Sequence, residues 1–181
     1  MQSRTAQVRV FVASSLDGFI AGENDDLAWL PTPDATGGDG GFGDFLSGVG
    51  ALLMGRRTYD VVAGFDGPWP YGDRPLLVAT HRPLTSTIGT VRPVNGPIDA
   101  LVHQGLAEAG GRNLYLDGGE MIRAALDAGL VDLVTVTFIP AVLGRGISLF
   151  AGASSRHRFE TVRCEALPGG MIQATFRPLL R

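Results

Sequence analysis

The sequence predicts an α/β fold in three layers, with helices on both faces of a mixed central sheet and a C-terminal antiparallel hairpin at its edge. Two observations lead there. Short runs rich in Val, Leu and Ile alternate with segments whose apolar residues recur at helical spacing, the pattern of strand–helix–strand units. The tail breaks that alternation with two strand-like runs joined near Pro168-Gly169-Gly170, a hairpin signal. The chain has 181 residues, 45% of them hydrophobic and 18% charged, which suits one globular domain over 1–181.

Each element has its own signal. The run over 8–13 is rich in Val and Phe and reads as a buried strand. Ser14-Ser15-Leu16-Asp17-Gly18 is a turn, followed by Phe19-Ile20-Ala21-Gly22. A loop passes through Trp29-Leu30-Pro31 and Gly37-Gly38-Asp39-Gly40-Gly41. Phe42, Phe45, Leu46 and Val49 share one face of a short helix over 42–49. The run over 51–54 is a second strand, and Tyr59, Val62 and Ala63 mark a helix over 57–63. The Gly- and Pro-rich stretch over 64–73, holding Trp69 and Tyr71, is a loop. A third strand covers 76–79 and a weaker one 88–91. Pro97 begins a helix that Gly110-Gly111 ends. A strand over 113–117 leads through Gly118-Gly119 into a helix reaching Ala128, stopped by Gly129. Val and Thr alternate in a strand over 132–139, and the tail strands cover 158–165 and 171–176.

Composition excludes several chemistries. The net charge of −3 gives no basic field for nucleic acid or an anionic membrane, so any anion site is local. All 15 basic residues are arginine. Without lysine there is no Walker A lysine, no Schiff base and no lysine general base. His81, His103 and His157 are far apart, and Cys164 is the single cysteine, so no metal site and no intrachain disulfide are expected. Met1 to Thr5 leads directly into a strand, without the apolar segment of a signal peptide or membrane span. A cytoplasmic protein is the expectation.

In α/β sheets ligands collect at the carboxyl ends of strands, where helix N-termini present their N–H groups. The turns there are Ser14-Ser15-Leu16-Asp17-Gly18, Gly55-Arg56-Arg57-Thr58, Thr80-His81-Arg82 and Asp117-Gly118-Gly119-Glu120. Gly55 permits close approach, and Arg56 and Arg57 offer forked donors suited to phosphate. Two arginines at a helix start face the wrong end of its dipole, a conflict that a bound anion relieves. Thr80-His81-Arg82 suits a second phosphate, and Gly118-Gly119 suits a diphosphate approaching backbone amides. Three such turns on one rim point to a dinucleotide with an extra phosphate, NADP rather than NAD.

These residues resemble the dihydrofolate-reductase-like superfamily, most closely the C-terminal reductase domain of the riboflavin-biosynthesis deaminase-reductase and its stand-alone relatives. The likeness rests on Ser15-Leu16-Asp17-Gly18-Phe19-Ile20-Ala21, Trp29-Leu30, Met54-Gly55-Arg56-Arg57-Thr58-Tyr59, Gly118-Gly119, Gly129-Leu130-Val131-Asp132, Pro140-Ala141-Val142-Leu143-Gly144-Arg145-Gly146 and Leu149-Phe150. It implies a mostly parallel sheet, NADPH as hydride donor and a homodimer. Carried over, Gly55, Arg56, Arg57 and Thr58 hold cofactor phosphates, and Thr80, His81 and Arg82 read the 2′-phosphate. Gly118, Gly119, Glu120 and Met121 hold the diphosphate, and Ala13, Ile20 and Ala21 border the nicotinamide. Two departures stand out. These 181 residues hold no deaminase domain, and Tyr59 stands where dihydrofolate reductases have Trp. Asp34 lies near the place of their acidic pterin anchor.

The implied reaction is that of 5-amino-6-(5-phosphoribosylamino)uracil reductase, hydride transfer to a ribosyl carbonyl or imine. Dihydrofolate or another conjugated small molecule is the alternative substrate, and nucleotide binding without catalysis is a third reading. Ser15, Asp17, Trp29 and Asp34 are the substrate-side candidates, with Arg74 a candidate for a substrate carboxylate. Two readings stand for Asp17: an acid whose pKa burial raises, or the Asp of an Asp-Gly turn. Glu120 is a second acid candidate, or a carboxylate that complements a helix dipole. Trp29, Trp69 and Tyr71 read either as pocket lining or as core.

Overall fold

The computed structural model of the chain describes residues 6–32 and 38–179, so Asp34 lies outside the described residues. The strands are β1 (Val8–Ser15), β2 (Phe19–Ala21), β3 (Val49–Gly55), β4 (Leu76–Ala79), β5 (Val91–Val94), β6 (Asn113–Asp117), β7 (Leu133–Ile139), β8 (Ile147–Ser148), β9 (Phe159–Leu167) and β10 (Met171–Pro178). The helices are α1 (Phe42–Ser47), α2 (Arg56–Ala63), α3 (Ile98–Glu108) and α4 (Gly119–Asp127).

One sheet of eight strands runs in the order β5-β4-β3-β6-β1-β7-β10-β9. From β5 to β7 all neighbours are parallel, and β10 and β9 add the antiparallel edge. This is the mixed, mostly parallel sheet that the sequence implied. Side-chain alternation along β3 shows why it needs helices on both sides. Ala51 and Leu53 join Val8, Val10 and Val12 beneath Leu101 and Val102 of α3 and Ile122 and Ala125 of α4. Leu52 and Met54 join Leu76 and Val78 on the other face, under Phe45 and Leu46 of α1 and Tyr59 and Val62 of α2. A strand apolar on both faces can be buried only in such a three-layer arrangement.

Three features depart most from the expectation, two of them boundaries and one an added pairing. The α1 helix stops at Ser47, and Val49 is already the first residue of β3, fully buried in the layer under α1. The weak strand over 88–91 is displaced to Val91–Val94 and contains Pro93. Proline is tolerated because β5 is an edge strand with β4 on one side and no ladder on the other. The third difference is a small ribbon that periodicity did not reveal. Phe19 pairs with Ser148 and Ala21 with Ile147, folding the β7–β9 connection back over the turn after β1.

Candidate active site

A cleft of about 940 Å³ opens at the carboxyl ends of the parallel strands. Every residue that the sequence assigned to the cofactor lines it, from Ala13, Ile20 and Ala21 through the three rim turns to Met121. The parallel sheet brings them together. β3, β4 and β6 all end on this rim, so the turns at Gly55, Thr80 and Gly118 face one space.

Two helices, α2 and α4, point their N-termini into the cleft, and neither has a side-chain cap. Their first amides therefore lack intrahelical partners. Gly118 precedes α4 with φ +94°, and a Cβ on it would stand 2.6 Å from Thr58 Oγ1. Only glycine fits that backbone and lets the α2 and α4 turns lie this close. Arg56, Arg57 and Arg82 follow β3 and β4, while Arg123 of α4 lines the cleft beyond β6 and donates to the Ser148 carbonyl at 2.7 Å. Arg56 Nε donates to Asp60 at 2.8 Å and its Nη1 to the Pro83 carbonyl at 2.8 Å. Arg57 Nε donates to Asp25 at 2.6 Å, and Arg82 stands 3.9 Å from Asp60. Two carboxylates thus offset the cations that the sequence placed at the wrong end of a helix dipole. The Thr80 hydroxyl accepts from the Arg82 amide at 3.0 Å, while His81 and Arg82 are exposed.

The substrate-side candidates fare differently. Asp17 is exposed and does not line the cleft. Its carboxylate accepts from Ser15 Oγ at 2.6 Å and from the amides of Leu143 at 3.1 Å and Gly144 at 2.7 Å. The Ser15 hydroxyl and these amides hold its pKa below the usual carboxylate range, opposite to the rise that burial would give. Asp17 is therefore the turn residue, pinning the 141–146 loop. Ser15 serves the same turn: its buried hydroxyl accepts from the Phe19 amide at 3.0 Å. Trp29 donates Nε1 to the Asp26 carbonyl at 3.1 Å, and its neighbours Leu27 and Leu30 line the cleft instead. Arg74 gives its donors to the carbonyls of Leu46, Val49 and Tyr71, at 3.0 to 3.1 Å, and so is committed to tying α1, the start of β3 and the loop at Tyr71 together. Of the loop aromatics, Tyr71 reaches the cleft, while Trp69 packs behind it with centroids 5.2 Å apart. Glu120 lines the cleft in the first turn of α4, where a carboxylate suits the dipole.

The sequence reading gave no role to Asp117. It ends β6 and lines the cleft beside Tyr115. Burial pushes its carboxyl pKa up, against the opposing bonds from the Gly118 amide and the Tyr115 hydroxyl. Tyr115 OH lies 3.0 Å from Asp117 Oδ2 and 2.9 Å from the Phe11 carbonyl. The Tyr115 and Tyr71 phenols are themselves raised, first by burial and then by the Asp117 charge. Around this group stand Phe11 and Phe42, 5.6 Å apart, and Phe42 is 6.1 Å from Tyr115. An available signal was the lone carboxylate closing the apolar run Leu114-Tyr115-Leu116.

Comparison with known proteins gives consistent matches. Residues 72–173 match the model of the RibD C-terminal domain. The YwjB protein of Bacillus subtilis, itself uncharacterized, is 33% identical over 142 residues, covering 78% of this chain and 80% of that one. A crystal structure from Shewanella sp. PV-4, of a protein provisionally assigned to riboflavin biosynthesis, is 32% identical with a TM-score of 0.84, covering 96% and 99% of the two chains. The Thermotoga maritima diaminohydroxyphosphoribosylaminopyrimidine deaminase/5-amino-6-(5-phosphoribosylamino)uracil reductase shares the fold, with a TM-score of 0.70 at 17% identity. This chain spans 57% of that one.

Proposed function

The chain belongs to the RibD C-terminal domain family, and from that premise we propose that it is an NADPH-dependent reductase of a small molecule. One observation carries the cofactor reading: two uncapped helix N-termini, α2 and α4, open on the same cleft around Gly118, with Arg56, Arg57 and Arg82 beside them. This donor set fits a dinucleotide that bears an additional phosphate. When bound, the cofactor would supply a hydride from its nicotinamide ring.

The residues of the chain then have separate tasks. The amides of Gly119 and Glu120, with Thr58, hold the diphosphate. Arg57 neutralises it, and Thr80, His81, Arg82 and Arg56 take the 2′-phosphate. Ala13, Ile20 and Ala21 form the wall on which the nicotinamide rests. Asp117 supplies the proton. A phenol carries one proton, and the Phe11 carbonyl can only accept. The phenol shares that proton between the Phe11 carbonyl and Asp117 Oδ2, and burial raises the carboxyl pKa against the second bond. The reduced substrate gains hydride at carbon and the Asp117 proton at the adjoining heteroatom, and Asp117 is recharged from water at the cleft mouth. Such an acid favours turnover over nucleotide binding without catalysis. We further read the chain as a single reductase domain that forms a homodimer, a reading that the exposed Val162 and Ile172 on the terminal hairpin support.

Calorimetric titration with NADPH and NADH tests the proposal. Saturable binding with a clear preference for NADPH is expected, and no binding of either nucleotide would refute it.

A further inference from the structure

The wall of the cleft holds a phenol that the fold does not use. Tyr71 is 4% exposed and lines the cleft, and among the described residues no hydrogen bond engages its hydroxyl. Its backbone carbonyl, by contrast, accepts from Arg74 Nη1 at 3.0 Å. The neighbouring phenol is fully engaged: the Tyr115 hydroxyl meets the Phe11 carbonyl at 2.9 Å and Asp117 Oδ2 at 3.0 Å. Among the described residues, the polar side-chain atoms sealed from solvent without a partner are Arg9 Nε, Trp69 Nε1 and Thr90 Oγ1. The Tyr71 hydroxyl is not one of them, so it opens onto the cleft that the residue lines.

The ring is held on several sides. Trp69 stands edge-on to it, with centroids 5.2 Å apart and planes at 88°, and Tyr115 packs at 6.4 Å and 73°. Arg74 fixes the backbone by joining the Tyr71 carbonyl to those of Leu46 and Val49. A phenol so packed keeps one soft motion, the rotation of its O–H. Burial, and then the Asp117 charge, raise the Tyr71 pKa, so the hydroxyl keeps its proton and can donate it to an acceptor. The neighbours Tyr115 and Asp117 set this donor beside the proposed acid rather than among the arginines of the phosphate-binding turns. A buried hydroxyl without a partner is costly, and a ligand acceptor that reaches it removes that cost.

Resting on the reductase reading above, we propose that Tyr71 binds the substrate directly, its hydroxyl donating a hydrogen bond to an acceptor oxygen or nitrogen near the atom that Asp117 protonates. Tyr71 thereby selects molecules that place an acceptor at this point over molecules of the same shape that do not.

The test uses the full chain saturated with NADP⁺, so that binding is read without turnover. Two probes of one shape are compared: acetophenone, with a carbonyl oxygen, and 2-phenylpropene, with a methylene in its place. Tyr71→Phe keeps the ring and removes the donor. The variant is expected to bind the ketone about three- to tenfold more weakly, the size of one hydrogen bond, and to bind the alkene as well as the parent does. The carbonyl stretch of the bound ketone, read by infrared difference spectroscopy, should rise in the variant as its hydrogen bond is lost. The melting temperature should be no lower, because no hydrogen bond within the protein is removed. Equal changes for both probes, or an unaltered ketone affinity, overturn the proposal. So does failure of the ketone to bind while NADP⁺ binds normally. A variant that melts lower with ketone affinity intact would make the hydroxyl a structural group and overturn it as well. If NADP⁺ itself does not bind, the reductase reading falls first and this one with it.

Discussion

Asp25 holds Arg57 at 2.6 Å across the cleft mouth, tying the loop after β2 to the first turn of α2. Asp25 has φ +63° and follows Asn24 at φ +56°, so two consecutive non-glycine residues sit in the left-handed region to place this carboxylate. In the proposed function a cofactor phosphate competes with Asp25 for the same guanidinium. Asp25→Asn is therefore expected to tighten NADPH about two- to fivefold, because an exposed pair contributes about 1 kcal/mol or less. Its melting temperature should hardly change. Calorimetry decides; an unaltered or weaker Kd would show that Asp25 does not compete.

In the proposed function the cations divide the cofactor between them. Arg57→Ala is expected to weaken NADPH and NADH alike, by about 1.5–3 kcal/mol, the contribution of a charge-assisted bond. Arg82→Ala is expected to weaken NADPH by a similar amount and to leave NADH nearly unchanged, since the proposed function sets it with His81 on the 2′-phosphate side. Equal losses for both nucleotides in Arg82→Ala would move that phosphate elsewhere.

Gly118→Ala tests the cradle. The added Cβ meets Thr58 Oγ1 at 2.6 Å and imposes a side chain on φ +94°. Residues forced into such backbone cost about 1–3 kcal/mol. A fall in melting temperature and a large loss of NADPH affinity are expected. Adding Thr58→Ala removes the clash and leaves the φ strain, so only part of the stability should return. Full recovery would mean that the dihedral carries no cost.

How much of this was legible in the sequence follows from the kind of signal each part leaves. The rim turns at Gly55-Arg56-Arg57, Thr80-His81-Arg82 and Gly118-Gly119 were readable because glycines and cations at strand ends are local features. The β2–β8 ribbon was not, since three residues paired with two, far apart in sequence, leave no periodicity. The choice between the two readings of Asp17 was not legible, because its partners, the amides of Leu143 and Gly144, are more than a hundred residues away and carry no side-chain signature. Asp117 was passed over for the opposite reason. Its character comes from burial and from the Tyr115 hydroxyl, and the adjacent glycines drew attention to backbone chemistry instead.

At the far end of α4, Asp127 accepts from the Ser154 amide at 2.8 Å and pairs with His157 at 2.8 Å. The Ser154 amide, then the His157 bond, hold its pKa at about 2. A depressed carboxylate stabilises the fold above its unfolded pKa and loses that contribution as pH falls towards its folded value. The wild-type protein should therefore lose stability between about pH 4 and pH 2, and Asp127→Asn should flatten that part of the curve. Chemical denaturation across this range measures it; parallel curves would assign the acid slope to other groups.

Asp117 should show the reverse sign. Its carboxyl is raised by burial, so the native state keeps the proton more tightly than the unfolded chain. Stability then falls as pH rises from the ordinary carboxylate range to the folded pKa, and above it the whole loss is present. Asp117→Asn keeps the shape and removes the charge, so it should be more stable than the parent at neutral pH and equal to it in acid. The same change removes the proposed proton donor, and turnover of any accepted substrate should drop about 10²- to 10⁴-fold with NADPH affinity intact. A variant that is less stable at neutral pH would mean that the carboxylate is ionised and well served by the Gly118 amide at 2.7 Å. Retained turnover in a normally folded variant would remove Asp117 from the chemistry and make the Tyr115–Asp117 contact a packing feature of the β6 end.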